Sequence, residues 1–264
     1  MSLRTAAAHR NLLYLLSLKE LRTRYKKSVL GWAWSLLNPI TQTAIFSVIF
    51  LYVFVAPPPV GDPSGIRNFP AYFLCGLLPF NFFSISISTS IGAVQGGAGL
   101  IKKVQFPHEH LVFSVIVAQF VTLMIELVVL TVVLMLLGNM VLPWLPVLLA
   151  MLLLLALFAS GIALLMAAAN VFYHDVNYLW GIVAQVLFYM TPIIYNPATT
   201  RPWLRWIANY GPTGTFITAS HEILYDMRMP GLGRWAYMAI IGIGTFAFGS
   251  WAFARLSPKF AEEM

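Results

Sequence analysis

The chain is expected to fold as an all-α polytopic membrane protein with six transmembrane helices. Hydrophobic residues fill 59% of its 264 positions and charged residues only 9%. Soluble domains carry about 25% charged residues, and a single core of this size could not hide so much apolar surface from water. The apolar residues also fall in runs near the length a bilayer demands, roughly 20 residues each. Basic residues crowd the start, where seven of the 16 Lys and Arg precede position 28. Hydrophobic runs follow at once, so this asymmetry marks a cytoplasmic membrane face, not a nucleic-acid surface.

The first element covers residues 10–30. Tyr14, Leu18, Leu21 and Tyr25 form one helical stripe, while Lys19, Thr23, Lys26 and Lys27 lie away from it. The pattern predicts an amphipathic helix lying among lipid headgroups at the cytoplasmic interface, which doubles as a positive topology anchor. Six spans follow: Ser35–Val55, Phe69–Val94, Leu111–Leu137, Trp144–Ala169, Tyr178–Tyr195 and Trp235–Ala254. The fifth is at the lower limit of length. With the N-terminus inside, the outer segments hold Arg67, Arg201, Arg205, Arg228 and Arg234, and the other eleven basic residues stay inside, as the positive-inside rule requires. Six crossings return the C-terminus to the inside. The N-terminus does not read as a signal peptide, because no cleavage site follows a short apolar run.

Residues 196–233 contain Pro197, Pro202, Pro212, Pro230, Trp203 and Trp206. They are too polar to span and too aromatic for an ordinary loop. They read as short helices dipping into the outer face, with Trp203, Trp206 and Tyr210 as an aromatic belt; a plain outer loop is the other reading. Re-entrant backbone is tolerated only where protein or a water-filled cavity covers it, so such a segment points to a pathway. No internal repeat is visible, which argues against the inverted repeats of many secondary transporters.

No catalytic constellation is legible. The chain lacks G-x-x-x-x-G-K-[ST], so it does not bind ATP through a P-loop. Gly96, Gly97 and Gly99 read as a flexible link. One cysteine, Cys75, excludes an intrachain disulfide and a cysteine-based zinc cluster. His108 and His110 are two residues apart, a poor spacing for two ligands on one helix face, and no metal is expected. His221, Glu222 and Asp226 read as one face of a solvated outer helix. Glu126 lies within the third span, where a charged acid costs at least about 2.5 kcal/mol. It reads either as a pathway residue or subunit anchor, or as a structural hydrogen bond with Gln119 or Thr122. Phe46, Phe50, Phe54, Phe80, Phe82, Phe83, Phe188 and Tyr189 lie in or beside spans. They read as ordinary packing or as a slippery track on which the C–H faces of sugars slide.

The run Leu18–Pro39 carries R-T-R-Y, then S-V-L-G, then W-S-L-L-N-P. It resembles the opening of ABC-2 type permeases, and more narrowly that of polysaccharide, O-antigen and teichoic-acid exporters. Leu100-Ile101-Lys102-Lys103-Val104-Gln105-Phe106-Pro107 is similar to the family's L-I-K-K-x-x-F-P segment between spans two and three. Phe172-Tyr173-His174-Asp175-Val176 is similar to its x-Y-R-D-V, with His174 in place of the usual Arg. The resemblance covers nearly the whole chain and implies a single transmembrane domain over residues 1–264. It implies a homodimer with one pathway between the copies, and two copies of a separate ATPase that bind ATP and Mg, so this chain needs no cofactor. It assigns 98–108, with Leu100, Ile101, Lys102, Lys103, Phe106 and Pro107, to a coupling helix seated in the ATPase. It assigns 196–233 to outer gate helices, and it implies a polyprenyl-diphosphate-linked glycan as substrate. Arg22, Arg24, Lys26 and Lys27 are candidates for that diphosphate through charge-assisted hydrogen bonds, or they serve topology alone. Phe46, Phe50, Phe54, Phe83, Phe188 and Tyr189 are the candidate pathway aromatics. The implied location is a bacterial inner or plasma membrane, with both termini cytoplasmic.

Three other readings compete. One is an ABC-2 exporter of drugs or other lipids. Another is a proton-coupled secondary transporter with Glu126 as carrier. A third, an enzyme acting on polyprenyl lipids, needs converging acids or histidines that are not found.

Overall fold

In a computed structural model of the chain, residues 3–25, 28, 31–55, 57–101 and 106–260 are described, with side chains for all of these except 3–10, 24, 25, 100, 101 and 199. Among the described residues every regular element is a helix. The order is α1 (Leu3–Tyr25), α2 (Ala33–Val48, extended by a π-helical turn Ile49–Val53), α3 (Phe69–Ile91), α4 (Ala93–Gly96), α5 (Ala98–Ile101), α6 (Glu109–Leu136), α7 (Leu145–Phe172), α8 (Val176–Met190), α9 (Pro202–Tyr210), α10 (Pro212–Leu224) and α11 (Leu232–Leu256).

Among the described residues five helices are long and apolar enough to cross a membrane: Ala33–Val53, Phe69–Ile91, Glu109–Leu136, Leu142–Phe172 and Leu232–Lys259. The expected fifth span is the exception. Its helix, α8, has 15 residues and rises only about 22 Å at 1.5 Å per residue, short of a hydrocarbon core of about 30 Å. Pro192 explains the early stop. The residue before a proline is driven out of the helical region, and Thr191 is extended at φ −83°, ψ 143°. The chain then turns through 191–196 instead of continuing as helix to Tyr195.

Helix α7 is the centre of the bundle. It packs on α3, α6, α10 and most intimately on α11. Small residues set that closest approach. A Cβ on Gly161 would overlap the backbone of Thr245, and one on Gly249 would overlap the carbonyl of Gly161. Close approach through small residues is how membrane helices gain van der Waals contact without a hydrophobic drive. Helix α3 starts on Asn68, whose Oδ1 accepts from Ala71 N at 2.9 Å, with Pro70 in the first turn, a favoured N-terminal pairing.

The N-terminal helix packs along α6, and its stripe differs from the wheel expectation. Tyr14 is exposed, Leu18 and Leu21 are half-buried, and the buried residue is Ser17, whose hydroxyl donates to Leu13 O at 2.9 Å. The continuous run Leu12–Leu16 surrounds the helix with apolar side chains, so the polar and apolar faces are poorly separated.

The segment 196–233 forms two short helices. Helix α9 leaves Trp203, Trp206 and Tyr210 exposed, whereas α10 is buried along nearly its whole length against α3. The turn between them is tight: a Cβ on Gly214 would come within 2.8 Å of the carbonyl of Ala208. At 13 residues, α10 is too short to span.

Candidate pathway, coupling face and outer cavity

The aromatic candidates form a connected ladder between α2, α3 and α8. Phe188 lies 5.5 Å from Phe80 and 5.8 Å from Phe46. Phe46 reaches Phe73 at 5.0 Å, Phe73 reaches Phe69 at 6.0 Å, and Phe69 stacks on Phe50 at 5.0 Å. Phe54 follows at 5.5 Å from Phe50, and Tyr189 adjoins Phe188 at 5.3 Å. These spacings are those of favourable ring pairs. Phe69, Phe73 and Phe80 are buried, Phe46, Phe50 and Phe188 are half-buried, and Phe54 and Tyr189 stand exposed. The ladder therefore has a buried back and an open front.

Phe83 does not belong to it. It is buried and stacks on Phe158 at 5.2 Å, with Trp180 edge-on at 5.9 Å. Three residues beyond Phe80, its side chain is turned toward α7, so it is core and not track. At the Phe54 end of the ladder, Phe50, Phe69, Pro57, Val60, Ile194 and Tyr195 enclose a mostly apolar vestibule of about 480 Å³.

On the opposite side lies the segment between α3 and α6. Leu100 and Ile101 sit at the end of α5, their side chains outside the described set, and Lys102 and Lys103 lie outside the described residues. Phe106 and Pro107 are half-buried. His108 stacks on Phe260 at 6.3 Å, and Phe260 is fully buried against Phe253 and Phe172. Burial lowers the pKa of His108, which favours a neutral ring at neutral pH. Asn170, near the end of α7, donates through Nδ2 to Ile91 O and to Gln95 Oε1, both at 3.1 Å, and accepts on its carbonyl from Gln95 Nε2 at 3.0 Å. Gln95 Nε2 also meets His174 Nε2 at 3.2 Å. His174 thus joins a neutral amide network where the family pattern has an arginine. Both ends of the segment are tied to the end of α7.

Of the diphosphate candidates, Arg22 is exposed and borders an open groove with Lys19, Leu15 and Leu18. The Arg24 side chain lies outside the described set, as do Lys26 and Lys27. Glu126 is 9% exposed. It lines a polar intramembrane cavity of about 140 Å³ with Asn38, Asn81, Gln119 and Thr122. The Thr122 hydroxyl donates to Ala118 O at 3.1 Å. Among the described residues no cluster of three or more His, Cys, Asp or Glu could hold a metal ion.

The outer face corrects one expectation. His221 and Glu222 are buried, at 4% and 7% exposure, not the face of a solvated helix. Glu222 accepts from Arg228 Nη2 at 2.6 Å and from Arg234 Nη1, and Arg234 Nη2 reaches Asn209 Oδ1 at 3.4 Å. Asp226 accepts from Asp62 N at 3.2 Å, yet burial, the largest influence, raises its pKa from 3.8 to about 6. These groups border a polar cavity of about 190 Å³. Sequence reading counted Arg228 and Arg234 only as outer charges, because their pairing with Glu222 follows no helical spacing.

A bundle of five apolar spans among the described residues, an aromatic seam open on one side and a segment tethered between α3 and α6 define a membrane transport subunit. Residues 11–225 match the ABC-2 type transporter family, and the chain belongs to it. It is 27% identical over 256 residues to the O-antigen export system permease protein RfbA of Klebsiella pneumoniae, covering 96% of this chain and 94% of that protein. The protein of the same description from Myxococcus xanthus is 27% identical over 259 residues, 97% of this chain and 96% of that one. The polysialic acid transport protein KpsM of Escherichia coli is 38% identical over 87 residues, 33% of this chain and 31% of KpsM.

Proposed function

We propose that the chain is the transmembrane subunit of an ATP-driven polysaccharide exporter, working as a homodimer with two copies of a separate ATPase. The observation that carries this reading is the full-length likeness to O-antigen export permeases from two organisms. The partial likeness to a polysialic acid transport protein supports the same substrate class.

The physics of the site agrees. A polymer must slide without being held. Aromatic faces give sugars dispersion contact without strong directional bonds, and the ladder from Tyr189 to Phe54 offers such faces along the bundle. Its open front lies on α2 and α8, which another protein surface must cover to keep a hydrophilic chain away from lipid; a second copy does so. Six crossings with both termini cytoplasmic complete the picture, α8 finishing its crossing with the turn 191–196. The membrane is a bacterial inner or plasma membrane.

ATP hydrolysis belongs to the partner. Residues 98–108, with Lys102 and Lys103, dock on the ATPase, and the ties from Gln95 and His108 carry its movement into α7. Arg22, Arg24, Lys26 and Lys27 receive the lipid diphosphate at the inner interface. The deciding experiment is co-purification of the permease with its ATPase, followed by Lys102→Glu with Lys103→Glu. Expected is ATPase activity that no longer responds to substrate, and export reduced at least about tenfold, as loss of two docking charges implies. Unchanged coupling, or an ATPase that never associates, contradicts the reading.

A further inference from the structure

We propose that the outer cavity between α3, α9 and α10 is a saccharide-binding subsite that takes one sugar unit of the emerging polymer. The inference rests on the export reading above and adds a second, hydrogen-bonding site to the aromatic track.

The position comes first. Val60 and Asn196 line both this cavity and the apolar vestibule at the outer end of the ladder. A chain leaving the track meets the cavity next. The size suits one ring: about 190 Å³, against the roughly 150 Å³ of an apolar cavity that binds benzene.

The chemistry then selects the ligand. His221 Nε2 lies 3.0 Å from Tyr72 O. A carbonyl only accepts, so Nε2 carries the proton and Nδ1 carries the lone pair. Burial pushes the His221 pKa down to about 4, so the ring stays neutral and that lone pair persists. Nδ1 is sealed inside the protein with no hydrogen-bond partner among the described residues, so His221 gives the cavity a neutral wall and not an acceptor open to a ligand. Arg205 supplies the donor. It lines the cavity and makes no ion pair among the described residues. Arg228 and Arg234 are already held by Glu222, which makes the wall rigid before anything binds.

The site thus offers the carboxylate acceptors of Glu222 and Asp226 and one unpaired guanidinium within polar walls. A sugar matches both, since each hydroxyl donates and accepts. A phosphate matches Arg205 but is repelled by the carboxylates of Glu222 and Asp226. Recognition here is by hydrogen bonds and not by stacking, because the Tyr72 ring is already covered by His221 at 4.0 Å and 4°.

The test uses the complete permease–ATPase complex in lipid nanodiscs and saturation-transfer NMR. The probes are glucose, galactose, mannose, N-acetylglucosamine and glucuronic acid, with inorganic diphosphate as a separate arm. Expected is saturation of at least one sugar, with affinity about fivefold weaker in Arg205→Ala, the loss of one charge-assisted hydrogen bond. Ile243→Ala, exposed on α11 and not a lining residue of the cavity, leaves binding unchanged. No sugar bound, equal binding in Arg205→Ala, or diphosphate bound in place of sugar overturns the subsite. The same preparations report whether the ATPase co-purifies. An ATPase present without sugar binding sinks the subsite alone, whereas an absent ATPase sinks the export reading beneath it.

Discussion

Helices α2 and α3 are both apolar, both long enough to span, and joined in sequence, yet they live in different surroundings. In α3 72% of the spanning window is buried inside the chain, and in α2 only 11%. Helix α3 is wrapped by α6, α7, α8 and α10, whereas α2 touches chiefly α3. The same kind of side chain therefore does two jobs. Phe73 on α3 is fully buried and holds the bundle together; Phe54, just past α2, is 65% exposed and meets the ring of Phe50 at its edge. Hydropathy makes a helix enter the membrane, but it does not say whether that helix faces protein, lipid or cargo.

Substitution separates the two roles. Phe73→Ala opens a cavity in the core and is expected to destabilise the fold by about 3 kcal/mol, visible as a lower thermal unfolding midpoint in detergent. Phe54→Ala removes a mostly exposed ring that packs only on the edge of the bundle and is expected to change stability by less than about 0.5 kcal/mol, while slowing export. Equal destabilisation by both would erase the distinction between the two helices.

A smaller effect probes the polar rim of the buried half. Asp226 is pushed up from 3.8 to about 6 by burial. A carboxyl with a raised folded-state pKa binds its proton more tightly when folded, so its contribution to stability is full below the unfolded pKa and is lost as pH rises through the folded one. Between about pH 4 and about pH 6, wild-type stability should therefore fall relative to Asp226→Asn, as followed by unfolding midpoints across that range. Parallel profiles would mean that Asp226 is solvated as an ordinary carboxylate.

Much of this arrangement was legible from residues alone. Hydropathy located every long span, because roughly 20 apolar residues in a row have few other uses. The end of α8 was misplaced because Ile193 and Ile194 prolong the apolar run past Pro192, and composition weighs apolarity before backbone. Phe46, Phe50, Phe54, Phe188 and Tyr189, the candidates named for a pathway, lie on or beside helices that come to face one another. Phe83 was misassigned because neither its type nor its spacing tells which neighbour α3 turns toward at that point. The outer cavity was missed altogether. Glu222, Arg228 and Arg234 are six and twelve residues apart across a turn, and only the fold of that turn shows that they share one carboxylate.

The central claim is that the uncovered face of α2 and α8 meets a second copy and encloses the pathway. Cross-linking tests it most directly, since the one native cysteine, Cys75, is fully buried. Single cysteines are placed at Ile45 on α2, at Ile182 on α8 and, as the rival face, at Ile240 on α11, all exposed in the single chain. A short bis-maleimide is then applied to the complex in native membranes. The account predicts a covalent dimer from Ile45→Cys and Ile182→Cys and none from Ile240→Cys. A dimer formed through Ile240→Cys alone would contradict it.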